Sequence, residues 1–238
     1  MNKEFLEKEI PIPVPPVEVQ KEIIEEVERL EEKYQNSRMK IEEYRKEIKK
    51  IFRNLDVIEE ISEINGGGVL KFKLSSNDFY ISIGKRVLNK ELSESGIPVY
   101  SANVFEPFGF IDKDILQDFS KPSVIWGIDG DWMVNSIPQN VPFYPTDHIG
   151  VIRLNTDKIN YRYLAYKLQK EGEHEGFSRS YRASINQIKK ISISVPSIDK
   201  QNEAIKRIEE FESKISLEKE KIFKIQEEIK KVLIEKLN

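Results

Sequence analysis

Two short stretches hold side chains that could do chemistry on a nucleic-acid backbone. Gly127-Ile-Asp-Gly-Asp-Trp132 sets Asp129 and Asp131 two residues apart, and Asp147-His148 puts a carboxylate beside an imidazole. Paired carboxylates with a histidine would suit a stand-alone nuclease or nucleotide-modifying enzyme, with Asp129, Asp131 and His148 as its working groups. The pattern is incomplete. Aspartates next to glycine more often shape turns, and no nucleophile motif accompanies the histidine. Adenine methylation would need a glycine-rich cofactor loop between a strand and a helix, a context that Gly66-Gly67-Gly68 lacks. Cysteine is absent and His148 and His174 are the only histidines, which excludes thiolate metal sites and argues against a histidine-based one. The expectation is a non-catalytic chain with no metal and no cofactor.

Binding chemistry is better represented. Gly176-Phe-Ser-Arg-Ser-Tyr-Arg-Ala-Ser-Ile185 carries Arg179 and Arg182 among Ser178, Ser180, Tyr181 and Ser184, and residues 176–190 contain four cations and no acid. Arginine can pair bidentately with guanine or clamp phosphate, and hydroxyls can bond phosphate oxygens. Lys85 and Arg86 form a second cluster. Tyr100, Ser101 and Asn103 form a third, in which the amide could read adenine. Trp126, Asp129 and Trp132 fall on a turn between two strand candidates, where a loop could enter a groove; the alternative is that both indoles are core. The net charge of −3 gives no bulk attraction for DNA, so any binding depends on such local patches.

The elements that must hold these groups are organised by an internal repeat. Residues 10–55 align without a gap on residues 191–236, with identities at Ile10/Ile191, Ile12/Ile193, Val14/Val195, Pro15/Pro196, Gln20/Gln201 and Ile41/Ile222. Each copy opens on an alternating stretch (Ile10–Val14, Ile191–Val195) that reads as a short strand. Proline follows, then a helix of about 39 residues, roughly 58 Å at 1.5 Å per residue.

Both helices carry a heptad seam. The first is Ile23, Val27, Leu30, Tyr34, Ser37, Ile41, Tyr44, Ile48, Ile51, Leu55. The second is Ala204, Ile208, Phe211, Ile215, Glu218, Ile222, Ile225, Ile229, Val232, Lys236. The polar Ser37 and Glu218 sit at the same register. Such seams predict that the two helices pack together, or against identical helices of a second chain.

The region between turns to Gly, Pro, Ser, Asn and aromatics. It reads as an α+β domain with strands at Tyr80–Ile83, Ile97–Tyr100, Ser123–Ile128, Trp132–Val134 and Gly150–Leu154, and one helix at Tyr161–Lys170. The fold class is thus α+β: one mixed α/β domain flanked by two long coiled-coil-forming helices. The divisions expected are 1–16, the remnant end of a preceding domain; 17–56, a long helix; 57–196, the mixed domain; and 197–238, the second helix. Charged residues are 33% of the chain, in keeping with long solvated helices. No apolar run reaches about 18 residues, and the acidic N-terminus is unlike a signal peptide, so a cytoplasmic protein with no membrane contact is the simplest reading.

At this point the layout resembles the specificity subunits of type I restriction-modification systems. The match lies in Ile83-Gly84-Lys85 at the opening of the domain, Gly96-Ile-Pro-Val-Tyr-Ser-Ala-Asn-Val104 after it, and the run from Ser184-Ile185 through Pro196 to Gln201 at its end. The resemblance covers essentially the whole chain. It implies a target recognition domain that reads one half of a split double-stranded DNA target, with the helices setting the unread spacer. It also implies docking to methyltransferase and restriction subunits, which do the chemistry. The full pattern has two recognition domains and this chain has one. That implies a half-size subunit that forms a homodimer through its long helices, or the C-terminal half of a longer one. A plain coiled-coil assembly module is the remaining alternative, and it leaves the Gly- and aromatic-rich domain unexplained.

Overall fold

The computed structural model describes residues 14–64, 68–113 and 118–237. The strand expected at Ile10–Val14 lies almost wholly outside them. Helix α1 spans Val17–Ile64, and α4 spans Ile198–Leu237. Between them run β1 (Leu70–Lys73), β2 (Phe79–Ile83), β3 (Ile97–Tyr100), β4 (Gly109–Ile111), β5 (Ser123–Gly127), β6 (Val134–Ile137), β7 (Tyr144–Pro145) and β8 (Ile149–Leu154). Helix α2 (Tyr161–Glu175), the short α3 (Ile185–Ile188) and β9 (Ser192–Val195) complete the order. The chain divides into two compact units, residues 1–53 with 207–238 and residues 54–206.

The first unit is a helix pair. Its seams close within one chain: Tyr44 stands 5.9 Å from Phe211 ring to ring, and Lys236 reaches Glu22 at 3.1 Å. The start of α1 therefore lies beside the end of α4, an antiparallel coiled coil. Ile23, Leu30, Ile41, Ile208 and Ile225 are buried, and every other seam position read from the sequence is buried or half-buried. Each fully buried aliphatic side chain contributes roughly 1.5–3 kcal/mol. Helix α1 continues eight residues beyond the expected end at 56. The apolar seam stops at Leu55, but Asp56 and Glu59 take the inward positions of the last turns, so the heptad breaks while the helix does not.

The second unit is built on a four-stranded antiparallel sheet, β2-β8-β5-β6. Strand β5 is buried throughout, which its unbroken Ser-Val-Ile-Trp-Gly sequence requires. Helix α2 covers β5 and β6. A second sheet, β4-β3-β7, pairs β3 parallel to β7 and antiparallel to β4. A two-stranded ribbon joins β1 to β9.

Val104, Ile125, Ile137, Phe143, Ile149 and Val151 form one core cluster, with Val99, Ile111 and Tyr144 in another. Gly150 faces Trp126 across the ladder, and a Cβ there would stand 2.0 Å from the indole. The strand expected at Trp132–Val134 begins only at Val134. Trp132 instead turns toward α2, where its indole donates to Gln169 O at 2.8 Å and covers Gly172.

Helix α2 starts on Asn160, whose side chain accepts from Arg162 N and Tyr163 N. It ends at Glu175, five residues beyond the expected Lys170, and is capped by Gly176 in the left-handed conformation with φ 78°. A polar group locks α2 to the last turns of α1. Lys167, 4% exposed, bonds Glu59 at 2.8 Å and lies 3.5 Å from Asp56. Tyr163 donates to Glu59, Tyr166 donates to Asp56 at 2.8 Å, and Lys170 reaches Asp56 at 2.9 Å.

Candidate nucleic-acid interface

The strand registers decide which loops meet. Ile83 pairs with Gly150, Gly127 with Ile149, and Trp126 with Val134, so β2 and β5 end where β6 and β8 begin. Tyr100 pairs with Pro145, so β3 and β7 end side by side. Four loops follow from these ends, at 84–86, 101–103, 128–133 and 146–148.

Backbone contacts knit them. Lys85 N donates to Pro145 O at 3.1 Å, Thr146 N to Tyr100 O at 3.0 Å, and Ile128 N to His148 O at 2.9 Å. The Thr146 hydroxyl meets that of Ser101 at 3.4 Å. A Cβ on Gly84 would collide with Pro145 O at 1.9 Å, so only glycine allows this approach.

The basic loop after α2 joins the same region through Trp126, whose indole donates to Ala183 O at 2.7 Å. It is stiffened by rings: Trp132 and Phe177 are 5.1 Å apart, Phe177 and Tyr181 5.4 Å. Ser178 N donates to Tyr181 O, and Tyr181 N donates back to Ser178 O. Arg182 Nε lies 2.7 Å from Asp129 Oδ1, and the other oxygen of Asp129 is bonded by His148 Nδ1. A carboxylate only accepts, so Nδ1 carries the proton of that bond.

The structure thus gathers Lys85, Tyr100, Ser101, Asp129 and Arg182 around one another, with Ser178, Arg179, Ser180 and Tyr181 on the Arg182 loop. Arg86 is exposed beside Lys85. Thr146 was not legible as part of this surface, and His148 was legible only as a catalytic candidate.

Four of the candidate side chains are engaged within the fold. Trp126 is 0% exposed; it is core, and its role is to hold the loop from below. Trp132 is half-buried against Phe177 and α2, so it too supports the loop. The Asn103 carbonyl is engaged by Phe105 N at 2.9 Å and Glu106 N at 3.3 Å, which removes the acceptor that adenine pairing needs. Ser184 caps α3 by accepting from Gln187 N.

The enzymatic set does not assemble. Asp129 and His148 meet, but Asp131 is exposed outside the cluster, and the second Asp129 oxygen faces Arg182. Among the described residues no group of three metal-ligating side chains of the His, Cys, Asp or Glu type occurs. Among them, too, no helix is long and apolar enough to cross a membrane.

Known proteins resemble this chain over most of its length. A protein of Haemophilus influenzae, assigned as a type I restriction enzyme specificity subunit, is 25% identical over 236 aligned residues, covering 87% of this chain and 57% of the relative. The crystal structure of a type I restriction-modification S subunit from M. genitalium superposes with a TM-score of 0.64 at 18% identity, over 93% of this chain and 61% of the other. A chain from a structural study of complex assembly and conformational transition in the type I R-M system gives 0.52 at 15% identity, over 94% and 60%. The two structures share the fold, and this chain spans about three fifths of the length of each of the three. Residues 57–227, more than two thirds of the chain, match the type I restriction modification DNA specificity domain. The chain belongs to that family.

Proposed function

We propose that this chain is the DNA-reading, non-catalytic component of a type I restriction-modification complex. Its mixed domain would read one half of a bipartite double-stranded target, and its helices would set the spacer. It would dock methyltransferase and restriction subunits, which supply the chemistry. The observation that carries this reading is the convergence of five loops at one end of the sheet, with Lys85, Arg86, Arg179 and Arg182 among them. Loops on a rigid sheet end suit groove contact, because the strands fix their spacing while the tips vary.

We further propose a symmetric dimer with a palindromic bipartite target. The seams are used up within each helix pair, so a dimer through the helices would use outer faces. There Ile24, Met39, Leu217 and Phe223 are exposed. Light scattering should give a dimer; a monomer at micromolar concentration, alone and on DNA, would count against it.

The test of the main reading is selection from a randomised duplex library by the chain assembled with its modification subunit. Enrichment of a split motif is expected. Enrichment of no sequence, or DNA cleavage or methylation by the chain alone that Asp129→Ala abolishes, would favour the enzymatic reading instead.

A further inference from the structure

The two arginines of the basic loop are held differently. Arg179 is exposed and has no acidic partner among the described residues. Arg182 is also exposed at its tip, but its Nε end rests on Asp129, a carboxylate whose side chain is only 22% exposed. Asp129 is itself fixed. His148 bonds its second oxygen, and the backbones carrying the two are joined by Ile128 N to His148 O. Next to Arg182, Ala183 is 2% exposed and tied by its carbonyl to the buried Trp126.

We propose that Arg182 is a guanine-reading side chain of this domain, that Asp129 with His148 is its positioning pair, and that Arg179 is a phosphate contact. The inference rests on the DNA-reading function proposed above. The contact at Nε is an ion pair and not a hydrogen bond, and a guanidinium paired on that side still offers its two terminal amino groups as parallel donors, the spacing that matches guanine O6 and N7. Fixing the side chain beforehand lowers the entropy lost on binding.

The same carboxylate makes Arg182 a poor generic phosphate clamp. It neutralises the cation, and Asp147, 3.8 Å from His148 Nε2, adds a further negative charge. A negative group beside DNA weakens binding to every sequence, so the arrangement sacrifices affinity for discrimination. The uncompensated Arg179 has the opposite character.

The test uses the full chain assembled with its modification subunit. Affinities are measured on the consensus from library selection, on each single-base-pair variant of it, and on scrambled DNA at several salt concentrations. Arg182→Lys keeps the charge but not the fork. It is expected to lose about 10- to 100-fold in discrimination at one G·C pair and to leave the other positions unchanged. Asp129→Ala should relax the same base pair and yet bind scrambled DNA more tightly than wild type. A merely structural loss would weaken both. Arg179→Ala should weaken all sequences alike and reduce the salt slope by about one. Wild-type base preference in Arg182→Lys, or uniform weakening in Asp129→Ala, would overturn the inference while leaving the proposed function standing. A wild-type complex that enriches no motif would overturn the proposed function itself.

Discussion

The helix pair and the mixed domain both bury charge, and they do so by different means. In the pair, Glu218 sits in the seam at 5% exposure, and its partner is Lys221, one turn along the same helix at 2.6 Å. Lys221 keeps its head in water, more than half exposed. In the domain, Lys167 is enclosed by Asp56 and Glu59, which in turn bond Tyr163 and Tyr166. A seam charge of the first kind leaves one oxygen, Glu218 Oε2, buried without a hydrogen bond, and it can be replaced locally. A network of the second kind is costly to open, since removing its buried cation strands two carboxylates, and Asp56 Oδ1 already lacks a hydrogen bond.

The largest expected effect follows from that network. Lys167→Ala leaves two carboxylates without their buried cation and should cost about 3–5 kcal/mol of domain stability. Lys167→Met with Glu59→Gln should recover much of the loss. Both tryptophans, Trp126 and Trp132, lie in the domain, so urea unfolding followed by indole fluorescence reports it separately from helix signal at 222 nm. Equal stability of wild type and Lys167→Ala would break the comparison.

The pH dependence comes next, and the two regions should weaken at opposite ends. Burial, and then the bond to Glu59, raises the Tyr163 hydroxyl above its ordinary value of 10.0; burial and Asp56 do the same to Tyr166. Burial pulls Lys170 down, but Asp56 together with Glu171 and Glu59 outweighs it and leaves the ammonium above 10.5. All three hold protons more tightly folded than unfolded. Their stabilisation is complete below the ordinary values and is lost as pH rises through the folded ones.

Glu218 behaves in the other sense. Lys221 first, and Ser37 to a lesser degree, hold it below 4.5, so its contribution is present above 4.5 and lost as pH falls through the folded value. Glu59 is raised by burial, which outweighs Lys167 and Tyr163, so its contribution is present in acid and does not fail there. Denaturation at pH 4, 7 and 10.5 should show fluorescence shifting most in alkali and helicity most in acid. Tyr163→Phe should blunt the alkaline arm.

Smaller still is the seam exchange. Ser37→Ala with Glu218→Leu should raise the stability of the helix pair by about 1 kcal/mol, at the cost of register specificity. Smallest is Lys236→Ala. Its exposed contacts with Glu22 and Glu26 should leave the melting temperature unchanged within error.

The pair was legible because a heptad is local: four or three residues separate each seam position from the next, and a single pass along the chain finds them. The β-ladders were partly legible, where alternation or an unbroken apolar run marked Tyr80–Ile83 and Ser123–Ile128. The two-residue β7 carries no such pattern. The candidate surface depends on partners far apart in sequence. Asp129 is 19 residues from His148, and Thr146 is 45 from Ser101. Composition singled out Arg182 and Asp129 separately, and nothing in either stretch signalled that they touch. The core alternative for Trp126 could not be chosen from the sequence for the same reason: its partner, Ala183, is 57 residues away. The network at Lys167 went unread because Glu59 lies 108 residues from it, on a helix whose apolar seam had already ended.

The start of each long helix has a consequence of its own. Gln20 Nε2 donates to Pro15 O at 2.7 Å, and Gln201 Nε2 donates to Pro196 O at 2.8 Å. The second glutamine also accepts from Asn160 N and donates to Lys158 O. The turn itself needs only the proline and the glutamine five residues on; the ties to the domain are added to a joint that already closes. Two identical, self-sufficient joints act as punctuation marks in the polypeptide. The passage between them could be exchanged for another of different meaning, and the grammar on either side would still hold.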